Sequence, residues 1–118
     1  MAAKIIDGKA IADAVNAGTR AEADAIAARH GVRPGLAVVL VGDNPASQVY
    51  VGMKVRKCQE LGIHSERIVL EKTASEKELL ELIASLNARP DIHGILVQSP
   101  PPTHIDEAKV VEIGRAHV

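Results

Sequence analysis

The chain alternates between two kinds of apolar patterning, and the alternation predicts the architecture. Over residues 7–30 the apolar positions Ile11, Val15 and Ile26, with many alanines between them, fit the period of a helix; Gly31 supplies its stop and Pro34 blocks continuation. Residues 36–41 form a short aliphatic run bounded by Pro34-Gly35 and Gly42-Asp43, the pattern of a strand buried on both faces in a parallel sheet. Asn44-Pro45 offers an N-cap and a first helical position, which opens a helix over 45–61 that Gly62 ends. Residues 63–70 alternate as a second strand. Thr73-Ala74-Ser75-Glu76 then offers overlapping capping boxes with Glu76 and Glu78, and Leu79, Leu80, Leu82, Ile83 and Leu86 give the following helix a buried stripe. A third apolar run, 94–97, lies between the break at Arg89-Pro90 and Pro100-Pro101-Pro102, where a sheet cannot continue because proline donates no amide hydrogen. Another short helix starts near Asp106.

Strands alternating with helices at this spacing predict an α/β fold, a three-layer αβα unit with a mostly parallel sheet and right-handed crossovers. In such sheets ligands collect beyond the carboxyl ends of the strands, here residues 42–47 and 98–102. A length of 118 residues suits one domain that buries roughly two-thirds of its unfolded surface. Its 47% apolar and 25% charged content is that of a folding chain rather than a disordered one. The formal net charge of −1 provides no field to attract a polyanion, and with no Phe, no Trp and one Tyr there is no platform for base stacking, so nucleic acid is not an expected partner. The single Cys58 cannot form an internal disulfide. The longest strongly apolar run, 36–41, falls far short of the roughly 20 residues that span a bilayer, and the N-terminus lacks the pattern of a secretory leader. These features lead us to expect a cytoplasmic protein with no membrane partner.

Four side chains stand out as chemistry. Ser47, Tyr50 and Lys54, at i, i+3 and i+7, project from one helix face just after the first strand. Spacing alone is weak, since a Tyr at a helix flank and a Lys extended into water account for most such pairs. A Tyr-x-x-x-Lys pair also occurs in short-chain dehydrogenases, but those carry a glycine-rich turn where this chain has Val41-Gly42-Asp43-Asn44-Pro45. Gln98 is a carboxamide at the end of an apolar strand and directly before the proline run, so it must find polar partners or bear a desolvation cost; bonding to loop backbone would satisfy it as well. His30, His64, His93, His104 and His117 include no i, i+4 pair, so no metal site is expected. Glu71, Glu76, Glu78 and Glu81 read as solvated helix faces, and motifs for a serine nucleophile or a phosphate-binding loop are absent.

Ile5-Ile6-Asp7-Gly8-Lys9, the run from Pro34 to Gly42, Ser47-Gln48-Val49-Tyr50-Val51 with Lys54, and His93-Gly94-Ile95-Leu96-Val97-Gln98 with Pro100 resemble, in order, successive blocks of the bifunctional methylenetetrahydrofolate dehydrogenase/methenyltetrahydrofolate cyclohydrolase family. The resemblance covers about residues 5–111 and implies the N-terminal, folate-binding catalytic part of that enzyme of one-carbon metabolism. It makes Lys54 the central catalytic group, Tyr50 the ring against the folate and Gln98 the partner that positions the lysine amine. Ser47, Tyr50, Val51, Lys54, Val97, Gln98, Ser99 and Pro100 become substrate contacts; Ser99 and Pro101 stand where leucine is commoner. It further implies hydride transfer to NADP followed by hydrolysis of the methenyl bridge, a homodimer in the full-length parent, and a role in purine biosynthesis. The family's NADP-binding Rossmann domain lies beyond the region of resemblance. These 118 residues alone are therefore not expected to act as a dehydrogenase. The rival reading is a non-catalytic α/β binding or interaction module in which the same residues are incidental.

The resemblance stops after Glu112. The remaining Ile113-Gly114-Arg115-Ala116-His117-Val118 equals the translation of a widely used sequencing adapter (ATC GGA AGA GCA CAC GTC, then a stop). We therefore expect 1–112 to be a partial catalytic domain and 113–118 a non-native tail.

Overall fold

A computed structural model describes residues 2–115. The helices are α1 (Gly8–His30), α2 (Pro45–Leu61), α3 (Glu76–Asn87) and α4 (Glu107–Arg115); the strands are β1 (Gly35–Val41), β2 (His64–Leu70) and β3 (Gly94–Val97). Local hydrogen bonds set the helix ends. The Asp7, Asn44 and Ser75 side chains each accept from a backbone N–H three residues on, at 3.1 Å, and so satisfy donors that the first turn leaves free. Gly31 and Gly62 close α1 and α2 in the left-handed region, at φ 70° and 71°, where a Cβ would be strained. Of the two overlapping boxes expected before α3, the Ser75 cap forms. Glu76 is not merely solvated: its carboxylate accepts from the Asp106 N–H at 2.8 Å and from Lys109 at 3.2 Å, which ties α4 to α3. Glu71 lies outside any helix.

The sheet is wholly parallel, in the order β2-β1-β3. β1 pairs with β2 from Gly35↔His64 to Val41↔Leu70, and with β3 from Leu36↔Gly94 to Val39↔Val97. Being central, β1 is buried on both faces, as its run of aliphatic residues requires. Ala37, Val39 and Val41 meet Leu79, Ile83 and Leu86 of α3 and Val110 of α4. Val38 and Leu40 meet Val51 of α2 on the other face. The chain moves from β1 to β2 over one face and from β2 back past β1 to β3 over the other. Reversing both direction and face keeps the two crossovers of one hand.

One expectation needs qualifying. α1 forms where the pattern placed it, but Ile11, Val15 and Ile26 are 54%, 61% and 41% exposed, and only Ala23 is buried. The helix leans on the end of α2, where Arg20 donates to the Glu60 carbonyl and Arg33 to that of Gly62, and it does not pack on the sheet. The radius of gyration, 16.7 Å, reflects this projection; a compact domain of this length would measure about 13–14 Å.

Candidate functional site

The short loop after β1 leads straight into α2. Pro45 at the first helical position presets the backbone, and the Asn44 cap holds the first turn against the end of the sheet. Ser47 (3% exposed) and Val51 (0%) face inward and anchor α2, Val51 against Val38 and Leu40, so their contribution to the site is support from beneath. Tyr50 and Lys54 sit one turn apart. Tyr50 presents its ring to solvent at 57% exposure, and Lys54 is half-buried.

From the other side of β1 comes Gln98, just past β3. Its backbone N–H donates to the Val39 carbonyl at 2.9 Å, so the residue is an extension of the sheet and not loose loop. Lys54 Nζ donates to Gln98 Oε1 at 2.6 Å, and Gln98 Nε2 donates to the Ser99 carbonyl at 3.2 Å. Both ends of the carboxamide are thereby used, and its oxygen is aimed at the amine. The sequence left open whether Gln98 bonds to loop backbone or serves the lysine; it does both. Ser99, followed by a cis peptide to Pro100, donates its hydroxyl to the Glu107 carboxylate of α4. Val97 is half-buried on the α3 side of the sheet, and Ser99 and Pro100 are exposed beyond it.

The electrostatics of the pair are particular. Among the described residues no carboxylate lies within ion-pair distance of Lys54. A neutral carboxamide fixes the position of the amine and leaves its charge unneutralised, which suits a group that must meet charge or a proton on a ligand. The location is the crevice where strand order reverses: α2 leaves β1 over one face, and the chain after β3 runs to α4 over the other.

Glu107, as holder of Ser99, was not legible in the sequence; its only signal was its place at the start of a predicted helix. The histidines that are described include two with structural bonds. His93 Nδ1 accepts from the Gly35 N–H at 2.9 Å, and His104 Nε2 lies 2.7 Å from the Ala74 carbonyl. At the far end of the sheet His64, Glu66 and Asp91 cluster, but Arg89 already binds both carboxylates, at 2.7 and 2.6 Å, and holds both well below their usual range. A cavity of about 530 Å³ lies between β3, α3 and α4, and its walls include none of Tyr50, Lys54 and Gln98. No described helix is long and apolar enough to cross a membrane.

Comparison with known proteins bears on these residues. The family model "Tetrahydrofolate dehydrogenase/cyclohydrolase, catalytic domain" matches residues 6–115. The bifunctional protein FolD of Brucella anthropi is 52% identical over 110 residues, covering 93% of this chain and 37% of the relative. The crystal structure of the bifunctional FolD methylenetetrahydrofolate dehydrogenase/cyclohydrolase of Campylobacter jejuni superposes with a TM-score of 0.87 at 41% identity, covering 91% of this chain and 38% of that one. The Trypanosoma brucei enzyme, solved with NADP cofactor and inhibitor, gives 0.87 at 30% identity, covering 94% and 38%. The chain thus spans well under half the length of these relatives.

Proposed function

Because the chain belongs to the tetrahydrofolate dehydrogenase/cyclohydrolase catalytic-domain family, we propose that it is the folate-site portion of an enzyme that oxidises methylenetetrahydrofolate to the methenyl form and hydrolyses that to formyltetrahydrofolate. The observation that carries this reading is the Lys54–Gln98 contact of 2.6 Å beside the open ring of Tyr50. Tyr50 offers a flat face for the folate. Lys54, directed by Gln98, meets the nitrogens of the one-carbon bridge. In hydrolysis, water adds to the methenyl carbon, one carbon–nitrogen bond breaks, and a proton must reach the departing nitrogen; an amine held at that point can move it.

The dehydrogenase half needs a dinucleotide, and the described residues do not fit one. At the β1–α2 turn, Pro45 has no N–H and the Asn44 side chain already takes the Ser47 N–H, so two of the first-turn donors that would grip a pyrophosphate are missing or taken. In our reading NADP binds in the portion of the longer enzyme that this chain does not span. The fuller enzyme would be cytoplasmic and homodimeric and would supply formyl groups for purine biosynthesis. The same reading takes 1–112 as catalytic domain and 113–118 as a foreign tail. The family match and α4 both run to 115, and 116–118 lie outside the described residues. The codons of 113–118 test it: any other codons for those residues would remove the adapter assignment.

Titration of the 118-residue chain with a folate analogue, followed by NMR, tests the site. Shifts should appear at Tyr50 and Gln98. No shift at either would sink the proposal and favour a non-catalytic module.

A further inference from the structure

The oxygen that meets the Lys54 amine is only as well placed as the group that holds the other end of its carboxamide. Gln98 Nε2 donates to the Ser99 carbonyl, so the orientation of the Ser99 peptide sets the direction of Gln98 Oε1. The sheet does not fix that peptide. β3 ends at Val97, and Pro100, Pro101 and Pro102 have no amide hydrogen to give to a ladder. Among the described residues, the one hydrogen bond that leaves residues 99–101 for another element runs from the Ser99 hydroxyl to the Glu107 carboxylate. We propose that Glu107 is a positioning residue for the reaction: through Ser99 and Gln98 it sets where the Lys54 amine stands. The inference rests on the proposed function and adds to it a residue that touches neither Lys54 nor Gln98.

Glu107 suits this role because its own place is fixed from both sides. It is the first residue of α4, and across that start the Asp106 side chain accepts from the Ala108 N–H at 3.0 Å. Glu76 of α3 accepts from the Asp106 N–H at 2.8 Å and from Lys109 Nζ at 3.2 Å, which brackets Glu107 between two tied neighbours. Leu79, Ile83 and Leu86 of α3 and Val110 of α4 seat both helices in one core cluster. Lys54 reaches Gln98 from α2, which packs through Val51 on the opposite face of the sheet. The chain of bonds from Glu107 to Lys54 therefore ties the two helical layers together over the end of β3. A carboxylate in the first turn of a helix has an ordinary explanation in the helix dipole, which needs its charge. The positioning role needs an acceptor there instead. Glu107→Gln separates the two, since it drops the charge and keeps an oxygen for the Ser99 hydroxyl.

Side-chain NMR of the 118-residue chain tests it. Glu107→Ala should shift both the Gln98 carboxamide and the Lys54 side-chain signals, although the substitution touches neither residue. Ser99→Ala should shift the Lys54 signals in the same direction, and the double variant should shift them no further. Glu107→Gln should leave them near their native positions. In a chimera joining this chain to the remainder of a full-length relative, Glu107→Ala should lower cyclohydrolase kcat about two- to tenfold, the scale of one hydrogen bond, with KM little changed. Glu107→Gln should restore most of that loss. Should Glu107→Ala fail to fold, Ser99→Ala carries the same test with α4 untouched. Native Lys54 and Gln98 signals in the alanine variants overturn the proposal. So does a Glu107→Gln chain that behaves as Glu107→Ala, which would leave charge at the helix start as the whole role. Lys54→Met distinguishes the two readings: if it is slow while Glu107→Ala runs at full rate, the positioning role alone fails. If Lys54→Met itself is undiminished, the proposed function fails and takes the positioning role with it.

Discussion

Gln98→Ala isolates the role of the carboxamide. The change deletes an acceptor 2.6 Å from the Lys54 amine and leaves the Tyr50 ring and the α2 backbone in place. A hydrogen bond to a charged group is worth about 1.5–3 kcal/mol net. With no carboxylate among the described residues to recapture the amine, most of that should appear as lost orientation in the reaction. At about 1.4 kcal/mol per factor of ten, turnover should fall roughly 10- to 150-fold. Binding surface is retained, so KM should move little. The assay is cyclohydrolase turnover, read as loss of the methenyl chromophore, in a chimera joining this chain to the remainder of a full-length relative. Lys54→Met keeps the apolar stem and removes the amine, which should cost at least about a hundredfold, the scale of one acid/base group. Because Gln98 acts through Lys54, the double variant should be no slower than Lys54→Met alone. Multiplying losses in the double variant would refute the positioning role. So would a Gln98→Ala enzyme that binds folate poorly but turns over normally.

Gly35→Ala should unfold the chain or cost more than about 3 kcal/mol by thermal melting, because its Cβ would sit 2.0 Å from the Asp91 carbonyl oxygen, a backbone atom that cannot step aside. Acid should destabilise the fold. Arg89 holds Glu66 and Asp91, and the Asp106 N–H and Lys109 hold Glu76, below their ordinary values of 4.5, 3.8 and 4.5. A lowered carboxyl pKa contributes stability that is present above the ordinary value and lost as pH falls through the folded one. Melting temperature should therefore drop below about pH 4.5, and Arg89→Met should flatten that part of the profile. Burial raises the Cys58 thiol pKa, so native protein should alkylate far more slowly than protein unfolded in denaturant.

Most element boundaries were legible because their causes are local. Pro45, Gly62, Ser75 and the proline run act within a few residues of themselves, and the α2 bounds fall where this punctuation puts them. What an element packs against is not local. Ile11, Val15 and Ile26 specify a helix, yet nothing in their spacing says whether a partner covers them, and α1 leaves them outside. By contrast, 36–41 read as a strand buried on both faces, and it is one; 94–97 read only as a third apolar run, and it is the strand order that makes it a half-buried edge.

The candidate site divides along the same line. Tyr50 and Lys54 share a helix, so their proximity follows from a period of 3.6 residues. Gln98 is 44 positions from Lys54, and no period connects them. What the sequence did contain was a demand: a carboxamide at the end of an apolar strand has to be satisfied. The fold answers it by placing β3 directly beside β1, so that the residue after β3 and the third turn of the helix after β1 open onto one crevice. Glu107 was invisible for the converse reason. A carboxylate in the first turn of a helix is explained by that helix alone, so its bond to Ser99, which steadies the segment holding Gln98, raised no local demand to notice. Site residues that burden their own element can be found from sequence; those that are locally comfortable emerge only when the elements are assembled.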